Sequence, residues 1–353
     1  MIALPAVGLG GSTFGNLYRV LDDEGARATF DAAWDAGIRY FDTAPHYGLG
    51  YSEERLGALL ADRPREEYVL SSKVGRLIES NPDHVPGETD VEGGFVVPTT
   101  RRRRWDTTPG GIRRSIEESL VRLGVDALDI AYLHDPEELP AEQAHQGMDA
   151  LLALRDEGLV RAVGAGAKDV DVLIDLVGRG GLDLVMLAGR FTLLEQPALP
   201  VLVPLCLRMG VGIVNVGVFN GGILATPRAA PGAQYEYRDA PPAVIARANR
   251  IAGVCERFGV SLPAAAAQFG LRARAVVNAT FGLRTPEQVN QLAAWLEEPF
   301  DDGIWEALAY QGLLPADVVR ASSAVRDGGS SHGRASTSCP DLRIFKAADL
   351  RDR

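Results

Sequence analysis

The 353-residue chain contains little cysteine: only Cys206, Cys255 and Cys339. Their number is odd and their spacing matches no metal-ligand motif, which argues against a disulfide framework and a metal site. We therefore expect a reduced, cytoplasmic compartment. The chain also lacks any apolar run near the ~20 residues that a membrane span needs. Its first residues, MIALPAVGLGG, lack the charged start of a signal peptide.

Positive charge is scarce as well. The 36 lysines and arginines are outnumbered by 47 aspartates and glutamates, and the formal net charge is -11. Because nucleic acids and anionic membranes need a positive protein face, this balance argues against both as partners. The partner that we expect is a small-molecule substrate. The run from Arg101 to Arg104 is the one basic cluster, and we interpret it as part of a solvated loop.

What the chain does have is a regular alternation of strand and helix patterns. The strand-like runs are VGLG, IRYFDTA, YVLSSK, ALDIAYLH, VRAVGAG, LDLVMLA, VGIVNVG and AVVNATFG. Eight strand–helix steps predict an α/β protein with a (β/α)8 TIM-barrel fold. An open dinucleotide-binding sheet fits less well, because no GxGxxG motif follows the first strand.

The boundaries follow from capping residues and composition. Asp22 or Asp23, Ser52, and Thr108 with Pro109 are typical of helix starts, and Gly37 and Gly124 of helix ends. Further helices are predicted near 146–157, 169–178, 197–209, 242–258, 261–272 and 286–297. Residues 76–107 are interpreted as a long irregular stretch. We expect the barrel to occupy residues 1–315 and a Ser/Gly/Arg-rich tail, mobile or weakly docked, to occupy 316–353.

Four residues with proton-transfer chemistry fall at or just after strand ends: Asp42, Tyr47, Lys73 and His134. In a parallel α/β protein these ends meet at one face. A tyrosine, with an ordinary pKa near 10, exchanges protons at neutral pH only if a cation stabilises its phenolate. Lys73 is that cation in our interpretation, Asp42 holds Lys73, and His134 bonds the substrate oxygen.

Simpler interpretations exist for each residue taken alone. Asp42 and Lys73 are also typical of a structural ion pair, and His134 of a loop cap. Tyr47 is compatible with a rim aromatic, with His46 or Tyr51 competing for its role. The four together favour a catalytic site.

The strings GIRYFDTAPHYGLGYSEERLG, YVLSSKVGR and LDIAYLHDPE resemble the aldo-keto reductase superfamily. The segments GGFVVPTTRRRRWD, LAGRFTLLEQPAL, GVFNGGILATP and YEYRDAPPAVIARA resemble its aldose dehydrogenase branch. The resemblance runs from about residue 4 to Pro315. It implies a (β/α)8 barrel and a catalytic tetrad at Asp42, Tyr47, Lys73 and His134.

The resemblance also implies NAD or NADP as cofactor, across the carboxyl-terminal face of the barrel. The residues expected to contact it are Gly166, Gly217, Phe219, Asn220, Gly221, Gly222, Gly282, Arg284, Gln288 and Gln291. The glycines are also compatible with ordinary tight turns. His46, Trp105 and Arg190 are expected to frame the substrate pocket.

Two departures from the family pattern concern the cofactor. Lys168 and Ala188 stand where many members carry the residues that hold the nicotinamide carboxamide. Arg284 is the obvious cation left for an adenosine 2'-phosphate, which favours acceptance of NAD over strict NADP dependence.

Three functions follow as hypotheses. The first is oxidation of the C1 hemiacetal of a free aldose to the lactone, with Tyr47 as general base. The second is an NADPH-dependent aldehyde or ketone reductase, with Tyr47 as acid. The third is a catalytically weak nicotinamide-binding sensor or accessory module.

Overall fold

The computed structural model describes residues 3–236 and 238–316. Its strands are β1 (Val7–Gly10), β2 (Tyr40–Asp42), β3 (Val69–Val74), β4 (Arg76–Ser80), β5 (Thr89–Asp90), β6 (Phe95–Pro98), β7 (Arg101–Trp105), β8 (Leu128–His134), β9 (Val160–Ala167), β10 (Leu184–Ala188), β11 (Gly212–Val216), β12 (Gln234–Tyr235), β13 (Arg238–Asp239) and β14 (Val276–Phe281). Eight of them close a parallel barrel in the order β1-β2-β3-β8-β9-β10-β11-β14. The predicted TIM barrel is therefore confirmed.

Helices surround this barrel. Within the described ranges they are α1 (Asp23–Asp35), α2 (Tyr51–Leu60), α3 (Pro109–Leu123), α4 (Ala141–Asp156), α5 (Val170–Arg179), α6 (Leu202–Met209), α7 (Pro242–Arg257), α8 (Leu262–Phe269), α9 (Pro286–Glu297) and α10 (Gly303–Tyr310). None of the helices in the described part of the chain has the length and hydropathy needed to cross a membrane.

Most capping predictions are confirmed. The Asp22 carboxylate accepts from the Gly25 N–H at 2.7 Å at the start of α1, and the Thr108 hydroxyl accepts from the Gly111 N–H at 3.1 Å at the start of α3. Ser52 does not cap α2. Its buried hydroxyl bonds Thr43 and the backbone of the loop after β1, so it fixes the helix to the barrel mouth.

The interpretation of residues 76–107 as irregular is wrong. Strands β4 and β7 form an antiparallel outer hairpin, and β5 and β6 form a shorter inner hairpin. The basic run Arg101–Arg104 is therefore a strand, not a solvated loop. Its side chains pair with acidic residues on three elements: Arg101 with Glu54 of α2, Arg103 with Asp90 of β5 and Arg104 with Glu79 of β4. Helix α10 was not predicted, α4 begins five residues earlier than predicted, and α6 begins later.

The core has two layers, as expected for a barrel. Side chains pointing outward from the strands pack against the helices in one large apolar cluster, and a smaller cluster fills the barrel interior. The tail predicted for 316–353 lies, apart from its first residue, outside the described residues.

Candidate active site

The predicted strand-end residues lie on adjacent barrel strands. Asp42 ends β2, Lys73 lies one residue before the end of β3, and His134 ends β8. Because all three strands run parallel, their side chains meet at the carboxyl-terminal mouth of the barrel. The structure thus brings the carboxylate, the ammonium and the imidazole to one face, as the sequence predicts.

Lys73 and Asp42 form a buried ion pair. The Lys73 Nζ donates to the Asp42 Oδ2 at 2.6 Å and to the carbonyl oxygen of Thr43 at 2.9 Å. The two side chains are 2% and 5% exposed. Burial alone lowers the pKa of Lys73, but the charges of Asp42 and Tyr47 outweigh burial, and the pKa is raised above its ordinary value. Lys73 is therefore a cation in this site.

Tyr47 is placed by a tight turn after β2. Its N–H donates to the carbonyl oxygen of Ala44 at 3.1 Å. The next residue, Gly48, has a φ of 63° and packs on Gly15, where a Cβ atom would lie 2.5 Å from the Gly15 carbonyl oxygen. Only glycine fits there. The turn holds the phenol ring over Lys73, whose Nζ is 4.7 Å from the ring centroid.

The pKa of the Tyr47 phenol is higher than the sequence analysis leads us to expect. Burial raises the pKa of its phenol, the Lys73 charge lowers it, the Asp42 charge raises it, and the resulting pKa is about 12. Lys73 therefore acts in the expected direction, but it only partly offsets burial. The phenol keeps its proton at neutral pH. As the pH rises, the fraction of Tyr47 in the phenolate form, which can accept a proton, increases.

Two buried imidazoles face Tyr47. The rings of His134 and Tyr47 are 5.7 Å apart and nearly perpendicular, and the rings of His46 and His134 are 5.4 Å apart. Burial, with nearby cations, lowers the pKa of His46 to about 2 and that of His134 well below its ordinary value. Both imidazoles are neutral. No described residue bonds the buried Nδ1 of either ring.

A buried arginine beside His134 was missed by the sequence analysis. The Arg76 guanidinium donates to Asp135 at 2.9 Å and to Glu138 at 2.6 Å. The Asp135 carboxylate lies 3.5 Å from the Nε2 of His134, and burial raises the pKa of Asp135. Arg76 is the first residue of β4, one glycine after the end of β3, and its proximity to His134 depends on the pairing of β3 with β8.

The inner hairpin forms one wall of the site. Phe95 is 3% exposed, and its ring lies 5.6 Å from the ring of His46 and 6.0 Å from that of Tyr47. Arg103 pairs with Asp90 and donates to the carbonyl oxygen of His46 at 2.8 Å. Neither Phe95 nor Arg103 was predicted as a site residue, although FVVP and RRRRW follow a strand-like pattern.

The predicted pocket residues separate into two groups. His46 lies in the site, and Trp105 packs under Arg76, whose guanidinium carbon is 4.1 Å from the ring centroid. Arg190, after β10, instead pairs with Glu236 at 2.8 Å and with Glu195 at 3.4 Å. Its contacts in the described part of the chain thus belong to an ionic cluster over β10 and the β11 loop.

The loop after β11, predicted to contact the cofactor phosphates, is a tight glycine-rich turn. Gly217, Gly221 and Gly222 have φ values of 66°, 71° and 100°, the left-handed backbone region that favours glycine. Within this turn the N–H groups of Asn220 and Gly222 donate to the carbonyl oxygens of Gly217 and Phe219, each at 2.9 Å. A Cβ on Gly222 would meet no atom within 4 Å. The buried Oδ1 of Asn220 has no partner among the described residues, although its Nδ2 donates to Glu195 at 3.0 Å. These features leave both space and polar groups for a ligand.

Two glycines at other strand ends support the same interpretation. Gly166 and Gly282 have ordinary backbone angles, so neither needs glycine for its conformation. A Cβ on Gly166 would come no closer than 3.5 Å to Met186, and one on Gly282 no closer than 3.9 Å to Ser12. Close approach of a ligand to the backbone is a physical reason for glycine at such positions.

The predicted adenosine contacts have other partners in the structure. Arg284 donates to the carbonyl oxygens of Leu17 at 2.5 Å and Arg19 at 3.1 Å, so it connects the loops after β14 and β1. Gln288 caps α9: its side-chain oxygen accepts from the Arg284 N–H at 2.8 Å, and its own N–H donates to the Thr285 hydroxyl. Gln291 is exposed on the same helix.

The two departures from the family pattern also have a structural context. Lys168, after β9, pairs with Glu236 at 3.0 Å, next to the pair between Arg190 and Glu236. Ala188 ends β10, in register with Val216. A lysine paired to a neighbouring loop thus occupies the position at which a carboxamide contact was expected.

Comparison with known proteins decides the family. The sequence profile described as "Aldo/keto reductase family" matches residues 6–309. The chain belongs to this family. It is therefore an oxidoreductase that uses NAD or NADP and acts on a small molecule.

Three relatives of this chain are dehydrogenases that are named for different substrates. A D-threo-aldose 1-dehydrogenase from a Pseudomonas species is 46% identical over 89% of this chain and 96% of its own length. A pyridoxal 4-dehydrogenase from Microbacterium luteolum is 36% identical over 89% of this chain and 95% of its own. An L-galactose dehydrogenase from Arabidopsis thaliana is 27% identical over 84% of this chain and 86% of its own.

Solved structures share the fold. A glycerol dehydrogenase from Gluconobacter oxydans aligns with a TM-score of 0.65 at 23% identity, over 88% of this chain and 93% of that one. An aldo-keto reductase from Bacillus halodurans, in its holo form, aligns with a TM-score of 0.67 at 22% identity, over 89% and 96%. At these identities the likeness concerns the barrel fold alone.

Proposed function

We propose that the protein oxidises the C1 hemiacetal of a free aldose to the lactone, with Tyr47 as general base. The observation that carries this proposal is the phenol of Tyr47 held over the buried Lys73–Asp42 ion pair. The relative named D-threo-aldose 1-dehydrogenase, matched over 96% of its length, supports an aldose as substrate.

In this mechanism the C1 carbon loses a hydride and its hydroxyl loses a proton. When bound, the nicotinamide supplies the hydride acceptor. Tyr47 takes the proton from the C1 hydroxyl, and Lys73 stabilises the negative charge that Tyr47 carries before the transfer. Asp42 keeps Lys73 charged and in place. The neutral His134 bonds the reacting oxygen through its unpartnered Nδ1 and so orients C1.

We assign cofactor binding to the loops after β9, β11 and β14. The backbone of Gly217, Phe219 and Asn220–Gly222 would hold the pyrophosphate, since Gly217 and Asn220–Gly222 all have positive φ angles and form a tight, largely side-chain-free turn. Gly166 and Gly282 would admit the nicotinamide and adenosine ends. Gln288 and Gln291 remain proposed contacts at the adenosine end, where Gln288 also caps its helix.

For the cofactor itself we propose NAD acceptance over strict NADP dependence. An adenosine 2'-phosphate needs charge-assisted donors. Both terminal nitrogens of Arg284 already donate to backbone carbonyl oxygens, which limits its capacity for a phosphate.

The substrate pocket is proposed to lie between His46, Phe95 and Trp105, with Arg190 on the far side of the mouth. His46 offers an unpartnered Nδ1 to a sugar hydroxyl. The aromatic rings offer apolar faces to the C–H surface of a sugar ring.

A steady-state assay over a panel of aldoses, with NAD and with NADP, tests the proposal. We expect lactone formation from at least one aldose, with a rate that rises toward alkaline pH. A protein that reduces aldehydes with NADPH and oxidises no aldose at any pH would be a reductase instead.

The cellular location, the absence of a nucleic-acid partner and the division into domains are also proposals. We propose a cytoplasmic location and no nucleic-acid partner, supported by the net charge of -11 and by the buried free thiols of Cys206 and Cys255. We also retain the division into a barrel over 1–315 and a tail over 316–353, supported by the composition of the tail.

A further inference from the structure

A chain of hydroxyl groups lies in the barrel interior beneath Asp42. Ser71, Tyr40 and Tyr132 all have 0% exposure. The surrounding side chains are apolar and include Ile130, Leu184, Met186 and Val214. Hydroxyl groups in such surroundings cost free energy unless they are hydrogen-bonded.

The barrel is shaped to accept both tyrosine rings. On β1, next to β2, a Cβ on Gly8 would lie 2.5 Å from the Tyr40 ring. On β9, in register with Tyr132, a Cβ on Gly164 would lie 3.0 Å from the Tyr132 ring. Glycine on each neighbouring strand thus leaves the space that each ring occupies.

The direction of the hydrogen bonds follows from the donor count. The Ser71 hydroxyl donates its single hydrogen to the Asp42 Oδ1 at 2.7 Å. Its oxygen must then accept from the Tyr40 hydroxyl at 2.9 Å, and the Tyr40 oxygen accepts from the Tyr132 hydroxyl at 3.3 Å. Burial raises the pKa of both phenols, so both keep their protons. The chain therefore delivers one oriented donor to Asp42.

This donor occupies the carboxylate oxygen that Lys73 does not use. The Asp42 Oδ2 accepts from Lys73 at 2.6 Å, and the Oδ1 accepts from Ser71. The terminal torsion of an aspartate is broad, so a single ion pair fixes its plane poorly. Two donors on different oxygens fix it.

We propose that Ser71 is a positioning residue for the reaction: supported by Tyr40 and Tyr132, its hydroxyl fixes the Asp42 carboxylate in the orientation that holds Lys73 beneath Tyr47. This inference rests on the proposed role of Tyr47 as general base. In this proposal Ser71 contacts neither the substrate nor the cofactor, and it acts through Asp42.

The sign of the effect follows from the charges. Without the Ser71 donor, the negative charge on the Asp42 Oδ1 is less compensated, and it disfavours the phenolate of Tyr47 more strongly. The charged or titratable groups around this centre are Lys73, His46, His134, Asp135, Arg76, Arg103, Tyr40 and Tyr132. The substitution of Ser71 leaves all of these groups in the protein, but Tyr40 loses the acceptor of its hydroxyl hydrogen.

The experiment compares Ser71→Ala with Ser72→Ala in the full-length protein. Ser72 is an equally buried neighbour on β3, but its hydroxyl points to the other side of the strand and donates to Glu53 at 2.5 Å. We expect Ser71→Ala to shift the pH profile of aldose oxidation upward by roughly 0.5 to 1 unit and to lower kcat about tenfold at neutral pH, with little change in KM. Ser72→Ala should leave the profile in place.

Tyr40→Phe and Tyr132→Phe extend the test along the chain. We expect shifts in the same direction that decrease from Ser71→Ala to Tyr40→Phe to Tyr132→Phe, because each hydroxyl is one bond farther from Asp42. If Ser71→Ala does not fold, Tyr40→Phe decides the matter. A pH profile that is unchanged in the folded variants, or shifted equally by Ser72→Ala, overturns the inference.

Failure of the proposed function gives a different result. If Tyr47→Phe retains turnover, the general base lies elsewhere and the proposed function fails. If Tyr47→Phe loses turnover while Ser71→Ala behaves like Ser72→Ala, the proposed function stands and only the role of Ser71 is lost.

Discussion

The Arg103 guanidinium donates to the backbone carbonyl oxygen of His46 at 2.8 Å and, through the same group, pairs with Asp90. One side chain therefore joins the outer hairpin, the inner hairpin and the turn that carries His46 and Tyr47. Together with the packing of Phe95 against His46 and Tyr47, this contact ties both hairpins to the turn that carries the proposed base.

We expect Arg103→Gln to raise KM for the substrate severalfold and to lower kcat, because the turn and the Phe95 wall lose their shared support. Breaking the partly buried pair should also lower the free energy of unfolding by about 1 to 3 kcal/mol. Steady-state kinetics and urea unfolding measure the two effects. Arg102→Gln is the matched control, since Arg102 is exposed and contacts Asp83 only at 3.5 Å. Similar kinetics for both variants would remove Arg103 from the site.

Lys73→Met should affect both stability and pH dependence. It leaves the Asp42 carboxylate buried without its cation, which costs about 3 to 5 kcal/mol. It also removes the charge that lowers the Tyr47 pKa, so the pH needed for oxidation rises. The double variant Asp42→Leu/Lys73→Met should recover much of the stability but none of the activity. An unchanged pH-rate profile in Lys73→Met would reduce Lys73 to a structural partner of Asp42.

The buried imidazoles predict a loss of stability in acid. The folded-state pKa of His46 is about 2 and that of His134 is also strongly lowered, whereas both take up protons near pH 6.5 when unfolded. The stability that the two neutral imidazoles contribute is therefore fully present above ~pH 6.5. As the pH falls below that value, the free energy of unfolding decreases by about 1.4 kcal/mol per pH unit for each imidazole. Urea unfolding at pH 7.5 and pH 5 tests this. A His46→Gln/His134→Gln variant with the same acid sensitivity as the wild type would refute it.

Arg284→Ala tests the cofactor preference. If Arg284 holds the adenosine 2'-phosphate, NADP binding should weaken by about 1.5 to 3 kcal/mol and NAD binding by much less. Fluorescence titration of both dinucleotides measures the difference, and Arg19→Ala is the control, because Arg19 offers Arg284 only a backbone carbonyl. Equal losses for NAD and NADP would mean that Arg284 serves the two loops that it connects.

The barrel and its chemistry were readable from the sequence because they depend on local patterns. Strand runs ending in Asp42, Lys73 and His134, with a cap at Thr108 and a stop at Gly124, each require only a few neighbouring residues. Parallel pairing then brings the strand ends together without further information.

The two hairpins, and the arginines that support the site from outside the tetrad, could not be predicted from local sequence patterns. The pairing of Arg103 with Asp90 spans a turn whose register the sequence does not specify, and four consecutive arginines suggested solvent. The contacts of Arg284 join loops 267 residues apart in the chain, and those of Arg76 depend on the neighbouring strand. Such long-range pairs are set by tertiary packing, not by local pattern.

The most direct test of the central claim is the turnover of Tyr47→Phe beside its dinucleotide affinity. Tyr51→Phe is the matched control, since the Tyr51 hydroxyl accepts from Arg55 at 2.7 Å, away from Lys73. We predict that Tyr47→Phe loses aldose oxidation by about 100-fold or more at every pH, binds the dinucleotide like the wild type, and keeps the folded stability. Tyr51→Phe should remain active. Retention of most turnover by Tyr47→Phe would contradict its role as general base.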